Sequence, residues 1–216
     1  MIKALIYDLD GTLADTLPSL CEAINMTMDH YSAPRRTCED VRLAIGNGAR
    51  MLVKRLLPDH LAADEEKVTE ALNYYNACYA KTYASADRCY DGMKEAVLEL
   101  AGRGYKSAVL SNKPDIYTVE LCKILFPENI FVAVQGQTDL PTKPDPTAPL
   151  MIAERLGVTP GECAFIGDSE VDIRTAKNAG MMSVGCAWGF RGADVLRAEG
   201  ADAVIVVPAE LKDLFH

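Results

Sequence analysis

The chain has 216 residues, 49% hydrophobic and 25% charged, which is typical of a soluble globular protein with one large domain or a domain that carries an insertion. Its net charge is −9 and it has no basic run, so no nucleic-acid partner is expected. No stretch approaches the roughly 18 apolar residues of a membrane span, and the amino terminus lacks the apolar segment of a secretion signal. We therefore expect a cytoplasmic protein without a membrane anchor.

The first predicted strand, residues 3–7, is followed directly by two acidic residues. Asp8 and Asp10 are two positions apart, so their side chains would point the same way if the strand continued, and Gly11-Thr12 then turns the chain. Two carboxylates at the carboxyl end of a buried strand suit a divalent cation, or a nucleophile paired with a general acid and base. The alternative is a polar turn after a strand.

No strand is predicted between residues 7 and 106, because the hydrophobic pattern there is helical almost throughout. We place an inserted helical domain at residues 15–88 and a core domain at residues 1–14 and 89–216. An insertion next to the acidic strand end is well placed to close over a site and exclude water. The predicted helices of the insertion are residues 17–31, 41–45, 49–57 and 65–82, with breaks at Pro34 and Pro58.

Helices and strands alternate in the rest of the chain. This alternation predicts an α/β fold with a doubly wound, mostly parallel sheet. The predicted helices are residues 92–102, 116–126, 146–156 and 171–179, and the predicted strands are residues 106–110, 130–134, 162–166, 182–186 and 203–207.

The seven cysteines are odd in number, are scattered and form no Cys-x-x-Cys pair, so we predict that they are reduced and serve mainly as packing residues. The three histidines lie far from one another, and we predict surface or packing roles for them. In chain order these residues are Cys21, Cys38, Cys78, Cys89, Cys122, Cys163 and Cys186, and His30, His60 and His216.

Polar residues follow the core strands at their carboxyl ends, which share one edge of a parallel sheet. Asp168 follows its strand as Asp8 follows the first one, and is available to complete a metal site. Lys143 supplies a positive charge, and Ser111 offers a hydroxyl group to a phosphate oxygen. The pattern therefore predicts a site for a cation and an anionic ligand at this edge.

Four motifs occur in order along the chain: Asp8-x-Asp10-Gly11-Thr12, Ser111, Lys143, and Gly167-Asp168 with Asp172. In these motifs the chain resembles the haloacid dehalogenase-like (HAD) superfamily of phosphotransferases, over essentially its whole length. The resemblance implies a Rossmann-like core whose insertion is an α-helical cap domain.

The resemblance also implies a reaction. Asp8 would attack phosphorus in line and form an aspartyl-phosphate that water hydrolyses, while Asp10 would act as general acid and then as general base. Mg²⁺ would be held by the Asp8 carboxylate, the Asp10 main-chain carbonyl and Asp168.

Further residues would support this reaction in the superfamily. Lys143 would offset the phosphate charge, Ser111 would bind a phosphoryl oxygen, and Asp172 would orient Lys143 or a metal-bound water. Additional phosphate- or substrate-binding residues of the core are predicted to be Gly11, Thr12 and Asn112.

Substrate choice is predicted to lie in the insertion, where a glycine-containing segment precedes a helix. The segment is either a loop that joins two cap helices or an anion-binding site built from main-chain N–H groups, a helix start and an arginine. It resembles the phosphoglycolate phosphatase subgroup, as do the segments that begin at Tyr90 and Trp188. The predicted substrate-binding residues of this segment are Gly46, Asn47, Gly48 and Arg50.

The expected function is that of a Mg²⁺-dependent phosphatase for a small anionic phosphomonoester, with 2-phosphoglycolate as the first candidate. Alternatives are a phosphatase for pyrophosphate, a sugar phosphate or a nucleotide, and a phosphomutase. A non-catalytic regulatory protein that binds a phosphorylated ligand is a third class, but it has no need of both Asp8 and Asp10. The expected partner is a small phosphate ester, and the expected state a monomer or homodimer.

Overall fold

The computed structural model describes residues 1–215, without the side chains of Ser85 and Ala86. His216, for which a surface or packing role was predicted, lies outside the described residues. The chain divides into two compact units, one formed by Met1–Asp15 with Arg88–His216 and the other by Thr16–Asp87. These boundaries fall one residue from those predicted, and the assignment of the second unit as a cap stays a prediction.

The first unit is built on a six-stranded parallel sheet, which confirms the α/β fold with a parallel sheet. The strands of the described residues are β1 (Ala4–Tyr7), β2 (Ala14–Asp15), β3 (Arg88–Cys89), β4 (Lys106–Pro114), β5 (Ala133–Gln137), β6 (Cys163–Gly167), β7 (Met182–Cys186) and β8 (Ala203–Ile205). The sheet order is β5-β4-β1-β6-β7-β8, so β1 lies at the centre between β4 and β6.

The second unit consists of helices, and in the first unit helices alternate with the strands along the chain. They are α1 (Leu17–His30), α2 (Cys38–Ala44), α3 (Gly48–Leu56), α4 (Asp59–Ala62), α5 (Glu65–Ala86), α6 (Met93–Gly102), α7 (Asp115–Leu125), α8 (Thr147–Leu156), α9 (Glu170–Ala179), α10 (Ala193–Ala198) and α11 (Glu210–Leu214). The sequence did not predict α4, α10 and α11, because helices of four to six residues are too short to show a helical repeat. No described helix is long and apolar enough to span a membrane.

Strand β1 is apolar throughout because it is buried on both faces, as expected for a central strand of a parallel sheet. Ala4 and Ile6 belong to a buried cluster that includes Phe165 of β6, Ile152 of α8 and Met181 just before β7. This packing fixes the position of β1 in the sheet, and hence the position of Asp8, which follows its last residue.

A short antiparallel pair, β2 with β3, was not predicted. The prediction of no strand between residues 7 and 106 is therefore wrong at two places, where Ala14 pairs with Cys89 and Asp15 with Arg88. Two-residue strands carry no alternating pattern that the sequence could reveal. Their pairing joins the chain segments on either side of the helical unit.

The helical unit contains a disulfide bond between Cys21 of α1 and Cys38, the first residue of α2. The prediction of reduced cysteines is therefore wrong for this pair, which lies 17 positions apart in sequence and meets only because the chain turns back after α1. Among the remaining cysteines, which are free, Cys78, Cys122, Cys163 and Cys186 are buried and Cys89 is partly buried.

Candidate active site

Asp8 is held at the carboxyl end of β1. Its N–H still donates to the carbonyl of Ile166 in β6 at 2.8 Å, so the sheet extends to this residue. Its Oδ1 accepts from the N–H of Leu9 at 2.7 Å. The chain then turns, because the Leu9 carbonyl accepts from the N–H groups of Thr12 and two following residues. The carboxylate is thus fixed before any ligand contact, with only 8% of the residue exposed.

Lys143 lies between two acidic side chains. Its Nζ is 2.9 Å from Asp8 Oδ1 and 2.7 Å from Asp172 Oδ1. Burial opposes the ammonium charge, but the carboxylates of Asp172 and Asp8 outweigh it and raise the pKa of Lys143. The Asn112 amide holds the Lys143 main chain, donating to its carbonyl at 3.1 Å and accepting from its N–H at 2.9 Å. A charged, positioned ammonium group therefore stands beside Asp8.

Asp168 is bound through both carboxylate oxygens. Thr12 Oγ1 donates to Oδ1 at 3.0 Å, and the N–H of Phe190 donates to Oδ2 at 2.7 Å. Asp172 is held in a different way, since its Oδ2 accepts from the N–H and the hydroxyl of Ser169, which caps α9. These contacts orient two acids toward Asp8 without neutralising their charge.

The carboxylates of Asp8, Asp168 and Asp172 form a buried group in which one oxygen of each lies within 4.8 Å of one oxygen of the other two. Burial, followed by the charges of Asp172 and Asp8, raises the pKa of Asp168 well above its usual value. Burial also raises the pKa of Asp8 to about 7, although Lys143 opposes this. Three buried carboxylates with one ammonium group fit a divalent cation. Asp172 differs from Asp168 in that it pairs with the Lys143 ammonium, so its carboxylate already has a cationic partner, and the assignment of Asp8 and Asp168 as direct ligands stays a prediction.

Asp10 forms an ion pair that the sequence analysis missed. Lys113 Nζ lies 2.9 Å from Asp10 Oδ1, and the two side chains are 3% and 13% exposed. Lys113 stands two positions after Ser111 in β4, so the strand period could have placed it beside this serine, although no local pattern identifies Asp10 as its partner.

The end of β4 departs from regular pairing where its polar residues lie. The register with β5 shifts between Leu110 and Pro114, which brackets residues 111–113. Ser111 is buried, and its Oγ accepts from the N–H of Lys113 at 3.3 Å. Such irregularities redirect side chains at the end of a strand.

Two glycines pack directly against Asp168. A Cβ atom on Gly11, whose φ is +84°, would lie 2.5 Å from Asp168 Oδ2. One on Gly189 would lie 2.3 Å from both Asp168 Cβ and the Gly11 carbonyl. The neighbouring Trp188 donates its indole N–H to the Thr12 carbonyl at 3.1 Å, which joins the loop after β7 to the turn after β1. The importance of Gly189 was not visible in the sequence, because it depends on this contact.

The predicted anion-binding residues of the insertion lie in the helical unit. Asn47 accepts from Arg55 at 2.7 Å, and Arg50 pairs with Glu65 and donates to Thr69 at 3.0 Å. Gly46 and Gly48 have positive φ angles at the start of α3. Glu65 also pairs with Lys54, so Arg50 shares this acid with a second cation, and anion binding there stays a prediction.

A sequence model of the haloacid dehalogenase-like hydrolases matches residues 2–180. The chain belongs to this family. The HAD-like chain is 33% identical over 207 residues to a phosphoglycolate phosphatase of Pseudomonas putida, covering 94% of this chain and 76% of the relative. It is 34% identical over 200 residues to a phosphoglycolate phosphatase of Colwellia psychrerythraea, covering 89% and 88%.

Solved structures share the fold of this HAD-like chain. One is described as a predicted phosphoglycolate phosphatase from Haemophilus somnus, with a TM-score of 0.92, 26% identity, and coverage of 100% of this chain and 98% of the other. The family and these relatives indicate a phosphoric monoester hydrolase.

We predict that divalent-cation binding depends on pH through the buried acids. Because the pKa of Asp8 and that of Asp168 are raised in the folded state, the folded protein retains protons that the unfolded chain loses near pH 4. For Asp8 this contribution to stability is complete below about pH 4 and is lost as the pH rises through its pKa of about 7, and for Asp168 it is lost in the same direction as the pH rises through its raised pKa. In EDTA, Tm should therefore fall between pH 5 and pH 8, and Mg²⁺ should raise Tm more at pH 8. Differential scanning fluorimetry measures both effects.

The control for this prediction is Asp168→Asn, which removes one carboxylate and should reduce the Mg²⁺-dependent rise in Tm at pH 8. Equal rises at the two pH values, or an undiminished rise in Asp168→Asn, would contradict the assignment of these acids to a cation.

Gly189→Ala should weaken cation binding by about tenfold or more. The added methyl group would displace the Asp168 carboxylate from the position in which Thr12 and the N–H of Phe190 hold it. Isothermal titration with Mn²⁺ measures the affinity. Gly161→Ala is the matched control, since a Cβ atom there meets nothing within 4 Å. Equal affinities in the two variants would show that the close packing at Gly189 does not position Asp168.

Proposed function

We propose that this HAD-like protein is a cytoplasmic, Mg²⁺-dependent phosphatase that hydrolyses a small anionic phosphomonoester through an aspartyl-phosphate, with 2-phosphoglycolate as the first candidate substrate. The observation that carries the proposal is Asp8 at the end of β1, with Lys143 Nζ 2.9 Å away and Asp168 in the same buried group. The names of the curated relatives support the substrate.

Asp8 is the proposed nucleophile. An Asp8 carboxylate oxygen forms a bond to phosphorus while the bond from phosphorus to the leaving oxygen breaks. Nucleophile and phosphate are both anionic, and unit charges about 4 Å apart repel by roughly 4 kcal/mol at an effective dielectric of 20. The Lys143 ammonium offsets this repulsion. Mg²⁺, held by Asp8, Asp168 and the Asp10 carbonyl, would supply further positive charge to the phosphoryl oxygens.

Asp10 is the proposed general acid and base. It gives a proton to the leaving oxygen in the first step, and in the second it takes a proton from the water that attacks phosphorus and releases Asp8. The buried Asp8 thus serves as nucleophile, and the partly buried Asp10 serves for proton transfer.

Phosphate binding is assigned to Ser111 and Lys143. The Thr12 hydroxyl bonds to Asp168 and the Asn112 amide bonds to the Lys143 main chain. The N–H of Gly11 donates to the Ala14 carbonyl within the turn. We therefore propose that Thr12, Asn112 and Gly11 act by holding the reacting groups in place.

The activity test is phosphate release with Mg²⁺ and with EDTA, from 2-phosphoglycolate, pyrophosphate, hexose phosphates and nucleoside monophosphates. Metal-dependent release with a preference for 2-phosphoglycolate is expected. A preference for another ester would retain the mechanism and replace the substrate. Conversion of a hexose phosphate to its isomer without phosphate release would identify a phosphomutase.

Asp8→Asn should lower kcat by about 10⁴-fold, because the neutral amide cannot form the phosphoenzyme. Asp194→Asn is the matched control, since this acid is fully exposed, and its activity should equal that of the unmodified protein. Unchanged turnover in Asp8→Asn would refute the proposed nucleophile.

A further inference from the structure

Lys113 is a buried cation that the proposed reaction does not use. Its side chain is 3% exposed, and its Nζ lies 2.9 Å from Asp10 Oδ1. The phosphoryl charge already has Lys143, whose ammonium group contacts Asp8 and Asp172. A lysine ammonium is costly to bury, so a second one beside the acid and base of the reaction requires an explanation.

The position of Lys113 relative to Asp10 places it near the leaving group. A general acid must come within about 3 Å of the oxygen that it protonates. Lys113 Nζ is 2.9 Å from Asp10 Oδ1, so its ammonium would lie within about 6 Å of a leaving oxygen that Asp10 protonates through Oδ1. A carboxylate on the carbon that bears this oxygen has its own oxygens roughly 3 Å from it by ordinary bond geometry. Such a carboxylate can therefore reach Lys113.

The main chain of Lys113 is held firmly for such a contact. Its N–H donates to Ser111 Oγ at 3.3 Å, and its carbonyl accepts from Thr118 Oγ1 at 3.3 Å. A Cβ atom on Gly136 of β5 would lie 2.6 Å from the same carbonyl. The backbone position of Lys113 is therefore set by β5 and α7 as well as by its own strand.

Lys113 is also better suited to this contact than the arginine that the sequence suggested. Arg50 is 43% exposed and is paired with Glu65, which is 62% exposed. Water and salt screen such a pair, whereas a buried ammonium interacts strongly with an anion that replaces water beside it. The positive charge that binds the substrate carboxylate is thus expected in the first unit, which contains Lys113.

We infer that Lys113 is the specificity-determining residue of this site, and that it binds a carboxylate on the leaving group. The inference rests on the proposed function and deepens it. The preferred substrates are then phosphomonoesters of 2-hydroxy carboxylates, and esters of the same size without the carboxylate are poor substrates.

The test compares 2-phosphoglycolate with 2-hydroxyethyl phosphate, which has a neutral hydroxymethyl group in place of the carboxylate. Both esters are assayed with the full-length protein and with Lys113→Met. The unmodified protein should prefer 2-phosphoglycolate, and Lys113→Met should reduce the ratio of the two kcat/KM values by about 10- to 100-fold. The loss specific to 2-phosphoglycolate should appear mainly in KM. Any fall in kcat shared by both esters reports the altered surroundings of Asp10.

Lys106→Met is the matched control, because Lys106 begins the same strand and its Nζ contacts the Leu156 carbonyl at the opposite end. It should leave the ratio unchanged. Lys113→Arg keeps the charge and should retain part of the preference. If circular dichroism shows that Lys113→Met does not fold, the same comparison is made with Lys113→Gln.

Two results would overturn the inference alone: equal kcat/KM values for the two esters in the unmodified protein, or an equal loss for both esters in Lys113→Met. The second result would make Lys113 a positioning residue for Asp10. No turnover of either ester by the unmodified protein would overturn the proposed function as well.

Discussion

The negative charges of Asp8, Asp168 and Asp172 repel one another within a buried space, where one carboxylate oxygen of each lies within 4.8 Å of the others. Much of the surrounding structure compensates this repulsion. Lys143 stands between two of the three, and the first turn of α9 places Asp172 where main-chain N–H groups and the helix dipole favour a negative charge. Folding therefore brings the acids together only because the positive groups arrive with them, and a cation completes the balance.

The residues at the strand ends divide into those that face a ligand and those that hold others. Thr12 and the N–H of Phe190 hold Asp168, while the Asn112 amide holds the main chain of Lys143. Each holding contact joins segments that are distant in sequence. The geometry of the reacting groups thus depends on the sheet as a whole, and a loop alone could not reproduce it.

The sequence was sufficient for features that local patterns encode. Continuous apolar runs located the strands of the parallel sheet, and the acids after them located Asp8 and Asp168. It was insufficient where a contact crosses the chain. The pairing of Lys113 with Asp10 spans 103 positions and that of Cys21 with Cys38 spans 17, and no periodic pattern records either one. Short elements such as β2 were not predicted for a related reason, since two residues span one period of a strand and cannot show that the pattern repeats.

Glycine main chain packs closely against two of the acids. Gly11 and Gly189 border Asp168, and a Cβ atom on Gly167 would lie 2.3 Å from Asp172. Backbone cannot change rotamer to make room, so the length of the acidic side chain is fixed along with its charge. Glutamate at position 168 or 172 would keep the charge, yet its extra methylene would be forced against this main chain. The reaction chemistry alone would accept either acid, so the close packing of these glycines is the feature that favours aspartate at both positions.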